Sequence, residues 1–423
     1  MKQPVVITGM GIVCSIGSTI RTFAQSLKDG KSGIGRLHYE GHPPIPVSIG
    51  AEINDFSFDA LLKERSCGAD TLVQKAQRAA RRSPYAVQCS VIAALEAWKE
   101  AMLHEEPIPS GRIGVIIAGQ NLTSKYQYGL YEKFTQNPEY LNPRYALHFM
   151  DTDQVGTLSE IFAIQGEGCT VGGASASGNV AIIKGMQLIQ LGIVDACMVV
   201  GSMADLSPME IQGFCSIGAM GGKRFADQPF KACRPFDRDH EGFIYGQGCG
   251  CLILESGTCA EHRKIKVMAE IAGGALLLDG NRLSDPNEEG EMRAMESVMG
   301  QARLKVSDID YINTHGTSSP LGDETEIRAI RRTFNKRVSD IWINATKGLT
   351  GHCLYAAGII ECIATIIQMR EGYVHPNINL DNPIDPQCRF CGKSAVQADI
   401  KKAISNSFGF GGINTSILLN KGD

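Results

Sequence analysis

The chain has 423 residues, 43% hydrophobic and 20% charged, enough apolar material for a large buried core and for more than one structural unit. A net charge of −4 leaves no basic excess to hold it on nucleic acid or an anionic membrane. The 14 cysteines are scattered, many in apolar runs (Cys197, Cys249, Cys251, Cys362), as expected of reduced thiols in a cytoplasmic protein and not of a disulfide framework.

Residues 5–8 predict a strand directly after Met1-Lys2-Gln3-Pro4, an opening without a secretory apolar region. Residues 84–102 have helical spacing, with Val87, Val91, Ile92, Leu95 and Trp98 apolar, Ser83 expected to cap and Pro84 to take the first helical position. A buried strand is expected at 114–118 and another just before Ser175. A helix follows at 179–191, then strands at 196–201 and 249–255. The second half repeats the style, with strands at 265–271, 311–314 and 415–419 and helices at 291–302, 324–334 and 358–369. This alternation predicts α/β layers with helices covering buried sheets. The polar stretch 256–264 is the expected boundary between residues 1–258 and 259–423. The longest apolar stretches are broken by Lys184, Asp195 or glycine, which argues against a transmembrane helix.

Several familiar motifs begin and fail. Gly9-Met10-Gly11 lacks the third glycine of a dinucleotide site, and Gly221-Gly222-Lys223-Arg224 lacks the frame of a P-loop. Ser175 is not in G-x-S-x-G, because Ser177 holds the last position. His240-Glu241 has no second histidine at the zincin spacing, and the lone Cys388/Cys391 pair has no second pair to complete a zinc ribbon. No metal or redox cofactor is therefore expected.

Four segments remain. Gly173-Ala174-Ser175-Ala176-Ser177-Gly178 precedes an apolar helix, so Ser175 would face out of a tight turn at a helix N-terminus. A serine hydroxyl there needs an adjacent base to attack anything, and none is near in sequence. His315 lies in Asn313-Thr314-His315-Gly316-Thr317, and His352 in Lys347-Gly348-Leu349-Thr350-Gly351-His352; both loops precede helices. Asn406-Ser407-Phe408-Gly409-Phe410-Gly411-Gly412 carries glycines that suit close backbone approach. Taken singly, each segment also has a structural explanation: a small turn residue, core histidines, a solvated lysine, a hairpin.

Together and in this order, these segments resemble the β-ketoacyl synthases, the condensing enzymes of fatty-acid and polyketide assembly. The resemblance runs from Val5-Val6-Ile7-Thr8-Gly9-Met10-Gly11 to Thr415-Ser416-Ile417-Leu418 and is weakest over residues 56–82. It implies a thiolase-like fold, two similar α/β halves stacked as five layers αβαβα, and a homodimer. Ser175 stands where that family carries its acyl-bearing cysteine. His315 and His352 match the pair that stabilises the enolate left by loss of CO2, Lys347 the lysine that orients the site, and Glu361 its acidic partner. Gly409 and Phe410 match the loop that supplies an oxyanion N–H and gates the pocket. Asp323 and Glu324 read as supporting groups. Phe236, in Arg234-Pro235-Phe236-Asp237, also matches, whereas Gln247 replaces the usual glutamate.

Histidines kept and thiol lost is the combination expected of a malonyl-acyl carrier protein decarboxylase of the kind found in polyketide β-branching cassettes, where the acetyl product passes to an enzyme resembling hydroxymethylglutaryl synthase. The alternatives are a condensing synthase using Ser175 as nucleophile and a non-catalytic partner subunit. The implied partner is an acyl carrier protein, whose phosphopantetheine brings the substrate. Lys75, Arg78, Arg81 and Arg82 are the densest basic cluster it could dock on, a solvated or interfacial face being the other explanation.

Overall fold

A computed structural model describes residues 3–38, 45–66 and 70–422. The strands that matter are β1 (Val5–Cys14), β2 (Ile113–Ala118), β3 (Gly168–Val171), β4 (Ala196–Gly201), β5 (Gly248–Ser256), β6 (Ala269–Leu278), β7 (Tyr311–Asn313), β8 (Trp342–Asn344), β9 (Arg389–Phe390), β10 (Lys402–Gly409) and β11 (Ile413–Lys421). They join in the order β9-β8-β7-β10-β11-β6-β1-β5-β4-β2-β3. In the first half β1 pairs antiparallel with β5, β5 antiparallel with β4, and β4 parallel with β2, which is parallel to β3. In the second half β6, β11, β10, β7 and β8 repeat that sequence of pairings. The halves meet where Val6 and Ile7 of β1 pair with Glu270 and Ala269 of β6.

Helices α1 (Asp70–Ala80), α2 (Tyr85–Glu100), α3 (Ser124–Gln136), α4 (Thr152–Phe162), α5 (Ser177–Gln190), α6 (Glu288–Ala302), α7 (Pro320–Phe334) and α8 (Ala357–Glu371) complete the layers. α5 and α8 pack on each other between the two halves of the sheet. Both are apolar nearly all round, which suits helices with no solvent face. α2 and α4 cover the outer face of the first half, α6 and α7 that of the second. Strand alternation sorts the side chains: Leu252 and Leu254 of β5 enter the central core, Cys249, Cys251 and Ile253 the outer one. The expected five layers built from two similar halves are what the chain forms.

Three local expectations need correction. The strand expected at 265–271 runs instead over Ala269–Leu278. Gly273-Gly274 looks like a turn but lets helices approach both faces: a Cβ on Gly273 would lie 2.9 Å from the Val298 carbonyl oxygen, one on Gly274 3.0 Å from Ile183. The strand before Ser175, expected buried, is the sheet edge β3, with Gly168 and Cys169 exposed because β2 alone pairs with it among the described residues. Pro84, not Ser83, is the N-cap of α2, since its ψ of 154° is not helical, and no side chain among the described residues caps that end.

Candidate active site

Ser175 sits in a single helical turn, Ala174–Ala176, between β3 and α5. The turn is tight. Ala174 has φ 47°, a left-handed conformation that costs a non-glycine residue free energy and is seldom kept without a purpose. Ser177 holds it closed, its hydroxyl accepting from the Gly173 N–H at 2.9 Å and donating to the Ala174 carbonyl at 2.7 Å. The turn between β10 and β11 packs against it. Gly409 allows this, since a Cβ there would lie 2.3 Å from the Gly173 carbonyl oxygen. Phe410 at the tip is 41% exposed.

His352 arrives from the loop ahead of α8. Its Nε2 lies 2.9 Å from the Ser175 hydroxyl oxygen, and its Nδ1 accepts from the Leu354 backbone N–H at 3.2 Å. A nitrogen that accepts carries no proton, so in the neutral ring the proton is on Nε2, pointing at Ser175. The missing base of the sequence reading is thus supplied by the fold, but in the tautomer that donates. His315 follows β7, its ring centroid 5.5 Å from that of His352 and near perpendicular to it. Its Nδ1 is buried without a hydrogen-bond partner among the described residues. Rings continue on either side: Phe408 lies 5.6 Å from His315, Phe243 5.4 Å from His352, Phe214 5.4 Å from Phe243, and Phe410 6.5 Å from Phe214.

Lys347 is no surface charge. It is 1% exposed, ion-paired with Glu361 of α8, and its ammonium donates to the His315 carbonyl at 2.5 Å. Burial, then the charge of Lys347, holds both imidazoles well below the usual histidine range, with His352 adding to the effect on His315. Burial pushes the Glu361 carboxyl up to about 7, against the pull of Lys347.

The His315 loop is fixed by carboxylates. Glu326 accepts from the N–H groups of His315 and Gly316, both at 2.8 Å. Asp323 accepts from Thr317 at 3.0 Å, Ser318 at 3.1 Å and Phe236 at 2.8 Å, and its Oδ2 lies 3.0 Å from Nδ1 of His240. Glu324 points outward to Arg328. Phe236 is fully buried and Gln247 accepts from the Ile53 N–H, so both are packing elements.

A cavity of about 680 Å³ is lined by Ser175, His315, His352, Asp323, Gly409 and Phe410 together, with Lys347 and Glu361 directly behind it. Lys75 and Arg78 on α1, with Arg81 and Arg82 after it, are exposed and outside that lining; Arg81 pairs with Asp59 at 3.2 Å. The sequence reading missed Glu326 and Glu291, which also line the cavity. Their only signal is an acidic residue on the buried face of a helix, Glu326 beside Ile327 and Ile330, Glu291 in register with Ala294, Met295 and Val298. Among the described residues no three His, Cys, Asp or Glu side chains gather as a metal would need, and no helix is long and apolar enough to cross a membrane.

The models for the N-terminal and C-terminal domains of β-ketoacyl synthase match residues 2–260 and 268–381. The chain is 39% identical to the polyketide biosynthesis malonyl-ACP decarboxylase PksF of Bacillus subtilis, over 98% of this chain and 96% of that one. It is 31% identical to a 3-oxoacyl-[acyl-carrier-protein] synthase 2 of Staphylococcus aureus, over 99% of each. Among solved structures it superposes with a TM-score of 0.86 and 25% identity, over the whole of both chains, on a chain of the complex between a type II polyketide acyl-carrier protein and its ketosynthase bound to the hexaketide.

Proposed function

The chain belongs to the β-ketoacyl synthase family, and we propose that it decarboxylates a malonyl group held as a thioester on an acyl carrier protein, giving acetyl-carrier protein and CO2. When the carboxylate leaves, its bonding electrons pass to the α-carbon and into the thioester carbonyl, making an enolate. Fixed donors aimed at that oxygen lower the barrier, typically by about 3 kcal/mol for one contact. The N–H of His352 and the ring of His315 border one cavity and are such donors. Burial, reinforced by the charge of Lys347, keeps both rings neutral, and Glu361 pairs with that lysine. Gly409 brings the Phe410 backbone N–H beside the Ser175 turn, and the Phe410 ring gates the entrance. Asp323 positions the His315 loop.

One observation carries this reading: Nδ1 of His352 accepts from the Leu354 N–H. With its proton on Nε2, His352 donates to an oxyanion and cannot take the Ser175 proton. Ser175 thus keeps the place of a nucleophile without being activated as one. The 2.9 Å contact between them favours a second reading, a condensing synthase with an oxyester at Ser175. That reading needs the other tautomer, which would set an N–H against the Leu354 N–H.

The acetyl product would pass to an enzyme resembling hydroxymethylglutaryl synthase in polyketide β-branching. No cofactor beyond the carrier's phosphopantetheine enters this scheme. The carrier would dock through Lys75, Arg78, Arg81 and Arg82. The unpaired edge of β3 and the outward aromatics Tyr131 and Phe134 of α3, a helix with no buried residue, suit a homodimer, and the setting is cytoplasmic. Incubation with malonyl-carrier protein alone, followed by intact mass, is the test. Loss of CO2 from the carrier with no mass added to the enzyme is expected. An acyl adduct on Ser175 would overturn it in favour of the oxyester.

A further inference from the structure

One wall of the same cavity is polar, and the scheme above leaves it idle. Glu291, in the first turn of α6, is 1% exposed and lines the cavity, yet its Oε2 has no hydrogen-bond partner among the described residues. A polar group buried without a partner is costly, and an isolated carboxylate more so. Two neighbours share its condition. Asn414 Nδ2 on β11 and Asp279 Oδ1 just past β6 are buried, without a hydrogen-bond partner among the described residues, and in the same lining. Gly290 is where they converge: a Cβ there would lie 1.8 Å from Asp279 Oδ1 and 2.5 Å from Asn414 Nδ2. This part of the cavity wall carries an amide donor and two carboxyl oxygens, groups able to hold ordered water. It adjoins the histidines through Glu326, which accepts from the His315 N–H on one side and from Asn406 Nδ2 at 3.3 Å on the other.

Glu326 on α7, Asp279 beyond β6 and Glu288 on α6 all act on Glu291 as like charges. Arg328 on α7 opposes them but is shared with Glu288 and Glu324, and Arg293 lies 3.8 Å from Asp279. Arg282 lines the same cavity. Burial first, then these acids, raises the Glu291 carboxyl well above the ordinary carboxylate range and so favours its protonated form.

Decarboxylation needs such a proton. Breaking the carbon–carbon bond leaves an electron pair at the α-carbon, and acetyl forms only when that carbon gains H⁺. A condensing enzyme must shield the same carbon from acid, whereas a decarboxylase must supply it. The His352 N–H is committed to the enolate oxygen, and the Ser175 hydroxyl is a very weak acid. We propose that Glu291, through water held by Asp279 and Asn414, is the source of the proton that converts the enolate to acetyl. The Glu291 O–H bond breaks, a C–H bond forms at the α-carbon, and the carboxylate regains a proton from solvent, so one H⁺ is consumed per CO2 released. This rests on the decarboxylase reading.

Glu291→Gln keeps the volume and removes the acidic proton; Glu291→Asp keeps the acid on a shorter stem. Both are compared with wild type for acetyl-carrier formation across pH, with melting temperature as the control. Wild-type turnover is expected to fall as pH rises through the raised Glu291 pKa. Glu291→Gln should lose at least roughly 10-fold in turnover and lose that basic limb, and Glu291→Asp should recover part of both. A Gln variant with wild-type turnover and pH profile overturns the assignment, as do Gln and Asp variants slowed alike with a lowered melting temperature. A wild-type chain that leaves malonyl untouched sinks the decarboxylase reading itself, and this inference with it.

Discussion

The Ser175 hydroxyl oxygen lies 2.9 Å from Nε2 of His352, a residue 177 positions later in the chain. The contact joins the two halves of the fold, since Ser175 precedes α5 and His352 precedes α8, the two helices of the central layer. Which atom holds the hydrogen is decided behind the ring, where the Leu354 N–H faces Nδ1. That backbone group makes the difference between a base and an oxyanion donor.

His352 is expected to be neutral with its proton on Nε2 at pH 6, as read by nitrogen-15 chemical shifts of labelled histidine. Its pKa is depressed by burial and by Lys347. An unfolded histidine protonates at about 6.5. Below that the unfolded chain binds more protons than the fold, so this residue's contribution to stability is lost as pH falls toward the folded pKa. Glu361 and Glu326, both raised to about 7, act with the opposite sign, holding protons in the fold that the unfolded carboxyls have released. A His352 that titrates at 6.5 or above, or a proton on Nδ1, would remove the oxyanion argument.

His315→Ala and His352→Ala should each slow decarboxylation by roughly 10²-fold or more if each ring donates to the developing enolate. The double variant should lose much less than the product of the two, because both act on one oxygen. Single-turnover CO2 release is the measurement. Wild-type rates in either single variant would leave the non-catalytic subunit as the better account.

Much of this was legible in the sequence because the site is built from loops whose residue order mirrors their convergence. The helices expected at 179–191 and 358–369 are α5 and α8 to within two residues at each end, since their apolar runs have one place to go. What stayed hidden depends on spatial neighbours. The tautomer of His352 is set by a backbone N–H that no periodicity reveals. β3 looked like a core strand because Val171 and its neighbours do not say that only one side is paired. Glu291 and Glu326 read as ordinary helix charges, since the packing of α6 on β11 and of the His315 loop on Glu326 is tertiary and leaves no mark on helical spacing.

Lys347→Met should destabilise the fold by about 3 kcal/mol, because Glu361 is left buried without its cation. The loss is measured by urea unfolding at pH 8, where Glu361 is ionised in wild type. Lys347→Met with Glu361→Leu should recover most of it, as an apolar pair replaces an ion pair in a dry site. A single variant as stable as wild type would show that Lys347 is not needed to compensate Glu361.

Phe410→Ala should leave the melting temperature close to wild type, since the ring is 41% exposed at the tip of the β10–β11 turn. Its effect should fall on substrate choice, with longer acyl-carrier proteins accepted alongside malonyl. Competition assays with mixed carriers would show this. A variant that unfolds would mean that the ring supports the turn and does not gate the cavity.

Substitutions at Ser175 separate the two chemical readings most cleanly. Ser175→Ala removes the hydroxyl but leaves the His352 N–H free to meet the thioester oxygen, so substantial decarboxylation should persist. Ser175→Cys is nearly isosteric and should fold. The start of α5 and the donor at 2.9 Å both favour a thiolate, so the sulfur should accept an acyl group as a thioester visible by intact mass. Such a variant should acquire condensation, with the enolate attacking the bound acyl group in place of taking up a proton. If Ser175→Ala is inactive while wild type accumulates an acyl-serine adduct, the hydroxyl is the nucleophile, His352 must work as its base in the other tautomer, and the decarboxylase reading fails.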